Sequence, residues 1–186
     1  LRTLVGHLDR VTSVTITPDG RFILSGSYDG TCKLWDFHTG QCIRTFQGHT
    51  GAVNAIVVSS DGRTAVSASV DHTLRVWDIS TCATIRVLEG HSADVTSVLI
   101  PLDGHFIAST SADDTVKIWD LQTGALVRTL DGHRHWVKSA AITPDQRFLI
   151  SASADECLKL WNLATGDCLR EFVGRHGSVR TVAIAP

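Results

Sequence analysis

Tryptophans stand at Trp35, Trp77, Trp119 and Trp161, each 42 residues after the one before. A Gly-His dipeptide keeps the same interval, at Gly6-His7, Gly48-His49, Gly90-His91 and Gly132-His133. A fixed period of about 20 to 50 residues means one supersecondary unit that is copied and stacked. The 186 residues hold a little over four such units, so the chain is an array rather than one irregular core. What repeats builds the array, and function has to be sought in what does not repeat.

One copy reads as four short strands. Val11, Val14 and Ile16 alternate with polar residues and end at Pro18-Asp19-Gly20, a turn signal. Phe22 to Ser27 is a second apolar run, closed by Tyr28-Asp29-Gly30, where Asp-Gly favours a hairpin. Thr31-Cys32-Lys33-Leu34-Trp35 forms the third strand, and Thr39-Gly40 turns the chain into Gln41 to Phe46 as the fourth. The third strand recurs as Thr73 to Trp77, Thr115 to Trp119 and Cys157 to Trp161. No stretch sustains a helical period, which makes the chain all-β.

The Gly-His opening, four strands and the Trp-Asp endings at Trp35-Asp36, Trp77-Asp78 and Trp119-Asp120 resemble the WD-repeat family of β-propellers. The resemblance covers the whole chain. It implies blades of four antiparallel strands, a segment or half of a ring of about seven or eight blades. Residues 1–5 would then be the outer strand of a preceding blade, and residues 6–47, 48–89, 90–131 and 132–173 four full repeats. Residues 174–186 would begin a fifth, all within one propeller domain.

Each copy sets a His, a Ser, an Asp and a Trp at constant spacing. They are His7, Ser25, Asp29 and Trp35; His49, Ser67, Asp71 and Trp77; His91, Ser109, Asp113 and Trp119; and His133, Ser151, Asp155 and Trp161. Ser, His and Asp together suggest a catalytic triad, but nothing here supplies the strained nucleophile turn that a triad needs. The resemblance implies a structural hydrogen-bonded network within each blade. A buried Trp N–H and His ring need partners, which Ser and Asp can provide.

Seventeen basic residues oppose nineteen acidic ones, for a net charge of −2, which lacks the electrostatic excess of a nucleic-acid binder. No apolar run approaches the roughly 20 residues of a membrane span. Five cysteines (Cys32, Cys42, Cys82, Cys157, Cys168) show no C-x-x-C spacing, which argues against a disulfide framework or zinc site and for a reducing, cytoplasmic setting. Cys32 occupies the position of Leu74, Val116 and Leu158, so it reads as a small core hydrophobe. His38, His72, His105, His135 and His176 lie scattered in turns without ligand spacing, and no cofactor or metal is expected. Arg2, Arg44, Arg86, Arg128 and Arg170 keep the period in the outer strand, where a charge blunts edge-to-edge pairing.

Some positions depart from the repeat. Asn162 replaces the Asp after the Trp, Cys157 replaces a Thr, and Cys82 and Gln146 replace turn glycines. Arg175 falls at the histidine position of the fifth copy. The array is therefore expected to loosen from copy four onward, and the fifth blade to lack the network.

In the resembled family, ligands meet the narrow face around the central channel. Carried over by position, that face would receive Arg10, Thr12 and Tyr28; Ala52, Asn54 and Val70; Asp94, Thr96 and Ala112; Trp136, Lys138 and Ala154; and Ser178 and Arg180. Arg10, Tyr28, Asn54, Asp94, Trp136, Lys138 and Arg180 are the binding candidates, with Trp136 and Tyr28 foremost because Trp, Tyr and Arg dominate interface hot spots. The cations point toward an acidic or phosphorylated peptide.

The expected function is a non-catalytic protein-interaction scaffold presenting a peptide- or domain-binding face. One alternative is the sensor or docking segment of a larger regulatory protein with an enzyme or ATPase domain elsewhere. Another is a self-assembling module in which two chains close one ring. An enzyme at the channel mouth would need unpaired carboxylates there, and only Asp94 is available.

Overall fold

The computed structural model describes residues 3–174 and 177–184. The first sheet is built from β1 (Val11–Ile16), β2 (Phe22–Ser27), β3 (Cys32–Asp36) and β4 (Cys42–Phe46). The second holds β5 (Val53–Val58), β6 (Thr64–Ser69), β7 (Leu74–Asp78) and β8 (Thr84–Leu88). The third holds β9 (Val95–Leu99), β10 (Phe106–Ser111), β11 (Val116–Asp120) and β12 (Leu126–Leu130). The fourth holds β13 (Val137–Ile142), β14 (Phe148–Ser153), β15 (Cys157–Asn162) and β16 (Cys168–Val173). In each sheet the strands pair antiparallel in chain order, a meander that needs only tight turns.

Side chains close those turns. Between β3 and β4, Asp36 Oδ1 accepts from the N–H groups of His38 and Thr39. Asn162, which replaces that Asp in the fourth copy, accepts from Ala164 and Thr165 through Oδ1 in the same way. The substitution keeps the Asx turn, because the turn needs an acceptor and not a charge.

Successive first strands β1, β5, β9 and β13 lie beside one another, so the sheets fan out from a common inner edge. The cores lie between sheets. Leu24, Leu34 and Phe46 of the first pack on Val53, Ile56, Ala65 and Trp77 of the second. The Phe46 and Trp77 rings meet edge-on at 5.6 Å, a favoured aromatic geometry. Equivalent clusters join the second sheet to the third and the third to the fourth. Cys32 is buried in the first of them, as its repeat position suggests. Burial pushes its thiol up to about 12, so it behaves as an apolar group.

The outer side of the first sheet has no such cover. Val14 is 60% exposed, whereas Ile56 and Val98 at the same repeat position are 2% and 4% exposed.

Two expectations need correction. The fourth copy is not looser: β13 to β16 pair throughout, and Trp161 is buried like its counterparts. Gln146 takes the left-handed conformation (φ 58°) that glycine holds in the other copies, so the turn survives at a local strain cost. Two of the periodic arginines do more than guard an edge. Arg86 donates to the Gln122 carbonyl of the next sheet, and Arg128 donates to Thr165 and Ala164 at 2.6 and 2.9 Å. Arg2, Arg175 and His176 lie outside the described residues, so the network of the fifth copy is not observed. Residues 3–5 and 177–184 form no strand, although Val179 N–H donates to the Ser153 carbonyl at 3.0 Å.

Candidate interaction face

The recurring His, Ser, Asp and Trp meet in every sheet. His Nδ1 lies 2.7–2.8 Å from the Asp Oδ2 and His Nε2 lies 2.7–2.8 Å from the Ser Oγ. The Trp indole N–H donates to the same Ser Oγ at 2.8–2.9 Å. One neutral tautomer satisfies the whole chain. The indole donates to Ser, the Ser hydroxyl donates to His Nε2, and His Nδ1–H donates to the carboxylate. The donors and acceptors of the four side chains are then engaged with one another within the blade.

The carboxylates are held ionised. Burial alone would raise the Asp71 carboxyl, but hydrogen bonds from Thr73, His49 and the Thr50 N–H outweigh it and bring it down to about 2. Asp29, Asp113 and Asp155 are lowered in the same way, against burial. Burial lowers His49 and His133, overriding the opposing pull of Asp71 and Asp155, and keeps the rings neutral. In the fourth sheet Cys157 cannot supply the threonine hydroxyl that Asp29, Asp71 and Asp113 receive. Its thiol turns instead to Glu171 at 3.1 Å, which also pairs with Lys159 at 2.8 Å.

The seven binding candidates do come together. Arg10, Tyr28, Asn54, Asp94, Trp136, Lys138 and Arg180 line one open basin of about 780 Å³ at one end of the inner strands. Its volume is that of an ordinary ligand site. Tyr28 and Trp136 are 43% and 46% exposed, so both present ring surface to solvent. Each carries a cation: the Arg10 guanidinium lies 5.2 Å from the Tyr28 centroid, and Lys138 Nζ 4.8 Å from that of Trp136. His135 meets Trp136 edge-on at 5.8 Å. Asp94 is the basin's carboxylate, and His72 of the preceding sheet sits 3.7 Å from it. No ion pair links Arg10, Lys138 or Arg180 to a carboxylate among the described residues.

Backbone irregularity aims these side chains. The register of β1 with β2 skips Thr12, and the corresponding pairs skip Asn54, Thr96 and Lys138. A bulge re-aims the residue that it frees. Thr12 Oγ1 donates to the Val53 carbonyl at 2.6 Å, Asn54 Nδ2 to Val95 at 2.9 Å, and Thr96 Oγ1 to Val137 at 2.5 Å. Asn54 is thus committed to clasping the next sheet as well as lining the basin. Lys138 sits at the fourth bulge and lies over Trp136 instead. The clasp was not foreseen from the sequence, although a polar residue after the first-strand valine in each copy was its visible sign.

Four-stranded meanders fanned about an inner edge, with their non-repeating side chains gathered at one end of it, define the chain as a run of β-propeller blades. The family model described as "WD domain, G-beta repeat" matches residues 1–36, 40–78, 82–120 and 124–162. The chain belongs to that family. Among curated proteins it is similar to the "Ribosome biogenesis protein BOP1 homolog" of Drosophila grimshawi, 54% identical over 39 residues. The homolog of Drosophila melanogaster is 51% identical over 39 residues. Each match covers 21% of this chain and 5% of the relative.

Proposed function

We propose that the chain is a non-catalytic interaction scaffold whose basin takes an acidic or phosphorylated peptide segment of a partner protein. The observation that carries this reading is the convergence of two aromatic rings, each under a cation, with Arg180 in the same basin. Stacked cations keep their charge and their outward N–H groups, so a carboxylate or phosphate gains charge-assisted hydrogen bonds there. The non-catalytic reading is supported by the networks, which commit His7, His49, His91 and His133 with Ser25, Ser67, Ser109 and Ser151 to the fold. The five thiols are all free, in keeping with a reducing, cytoplasmic setting. The likeness to ribosome biogenesis proteins spans about one repeat and says nothing further about the partner.

A random peptide library panned on the wild-type chain should enrich acidic or phosphorylated sequences. Trp136→Ala should weaken them at least about tenfold, the scale of a hot-spot aromatic. Enrichment of neutral sequences, or equal binding by Trp136→Ala, would sink the proposal. A second reading, self-association of blades, is favoured by the exposed Val11, Val14 and Ile16 on the first sheet. It is compatible with a docking role inside a larger regulatory protein.

A further inference from the structure

The basin is not uniformly cationic. In each blade one repeat-equivalent residue immediately precedes the inner strand: Arg10, Ala52, Asp94 and Trp136. Their carbonyls accept from the N–H groups of Tyr28, Val70, Ala112 and Ala154 at 2.8–2.9 Å, so every blade closes its end in the same way. What differs is the side chain. The first blade presents Arg10 on Tyr28 and the fourth Lys138 on Trp136, whereas the third presents a carboxylate. The inner strands lie in the order β1, β5, β9, β13, which sets Asp94 between the two capped rings. Thr96 Oγ1 donates to the Val137 carbonyl at 2.5 Å, so the strands headed by Asp94 and Trp136 touch directly.

The Asp94 carboxylate is open. The network carboxylate of the same blade, Asp113, accepts from the Ser92 and Thr115 N–H groups and from the Thr115 hydroxyl. The Asp94 carboxylate accepts no hydrogen bond among the described residues. His72 Nε2 lies 3.7 Å from it, beyond hydrogen-bond reach, and both side chains are about half exposed. No aromatic ring of its own blade stands beside it, because the place that Tyr28 takes in the first blade is Ala112 in the third and Val70 in the second. Both of those small side chains line the basin. Apolar surface next to an open carboxylate suits the aliphatic stem and charged head of a lysine or arginine.

We propose that the segment taken by the basin carries a lysine or arginine between acidic or phosphorylated residues, and that Asp94 selects this basic residue. The flanking acids engage Arg10 on one side and Lys138 on the other, while the basic side chain lies along Val70 and Ala112 and pairs with Asp94. This selection rests on the basin's role in binding acidic segments, and adds the order of charges along the occupant.

The test uses the full chain and three fluorescein-labelled peptides, read by fluorescence polarisation. Each has a pair of glutamates on either side of a central arginine, alanine or glutamate. Attraction to the basin's cations alone ranks the glutamate centre first and the arginine centre last, because arginine lowers the peptide's negative charge. A base-selecting Asp94 inverts that order. The arginine peptide should bind about tenfold tighter than the alanine peptide, the scale of one charged hydrogen bond, and the glutamate peptide more weakly than either. Asp94→Asn should bring the arginine peptide down to the alanine peptide's affinity or below, and Asp94→Lys should favour the glutamate centre. The Asp94 side chain makes no hydrogen bond in the fold, so both variants should melt with the wild type. An arginine peptide that binds no tighter than the alanine peptide, or an advantage kept by Asp94→Asn, would overturn the selection by Asp94 and leave the acid-binding basin standing. Failure of all three peptides to bind the wild type would remove both.

Discussion

At the residue scale the serine of each network is its hinge, since its one oxygen accepts from the indole and donates to the histidine. Ser67→Ala removes both contacts and leaves the Trp77 N–H buried without a partner. An unsatisfied buried donor costs about 2 kcal/mol, and urea unfolding should report a loss of that size. Protonation strains the same arrangement. A second N–H on His49 Nε2 would point at Ser67 Oγ, which already accepts the Trp77 indole, and the serine proton would need a new acceptor. The folded protein therefore binds this proton less readily than the unfolded chain does. Stability contributed by neutral His49 and His133 should be complete above pH 6.5 and decline as pH falls through 6.5 toward their lowered values. The depressed Asp71 adds stability that is complete above pH 3.8 and lost as pH falls toward about 2. Melting temperature should thus fall with acid in two stages, and a single transition confined to the carboxylate range would contradict the neutral-histidine network.

At the element scale the blades are joined by small devices that recur at fixed places. The bulged Thr12, Asn54 and Thr96 tie each inner strand to the next. Asn54→Ala removes one tie and should cost about 1 kcal/mol in urea unfolding, an ordinary net hydrogen bond. The outer seam is sealed by arginine lying on glycine. Gly124→Cys would place a side chain at φ 77° and 2.8 Å from Arg86 Cδ. Strain and clash together should cost about 1–3 kcal/mol in urea unfolding. The strands of the four full copies and the turns between them were legible in the sequence, because alternation and Asp-Gly pairs act over a few neighbours. The tolerance of Gln146 and Asn162 was not legible, because it depends on whether a neighbouring group needs the space or the charge.

At the scale of the whole molecule, the exposed side of the first blade matters most. Val11, Val14 and Ile16 are 47%, 60% and 52% exposed, while Val53 and Ile56 show how completely the same positions are covered between blades. If this face seats a second copy, light scattering should give a mass that rises with concentration. Val14→Asp should then return it to that of a single chain, because a carboxylate cannot be buried there unpaired. A mass independent of concentration in the wild type would leave the scaffold reading standing and remove the self-assembly one.

The sequence by itself determined the repeat, the strands within it, the network of His, Ser, Asp and Trp, and the set of positions that gather in the basin. The repeat and its strands follow from a strict 42-residue period, since equivalent residues in stacked copies must occupy equivalent places, whereas the network and the basin positions followed from the resemblance to the WD-repeat family. Only the tertiary structure decided which of those side chains remain available. Asn54 is spent on its neighbour, Lys138 is laid on Trp136, and Asp94 stays open beside His72. The physical reason is the same in each case. Period and turn chemistry act within one copy, whereas clasps and seams depend on the distance between atoms of two copies, which is settled only when the blades pack.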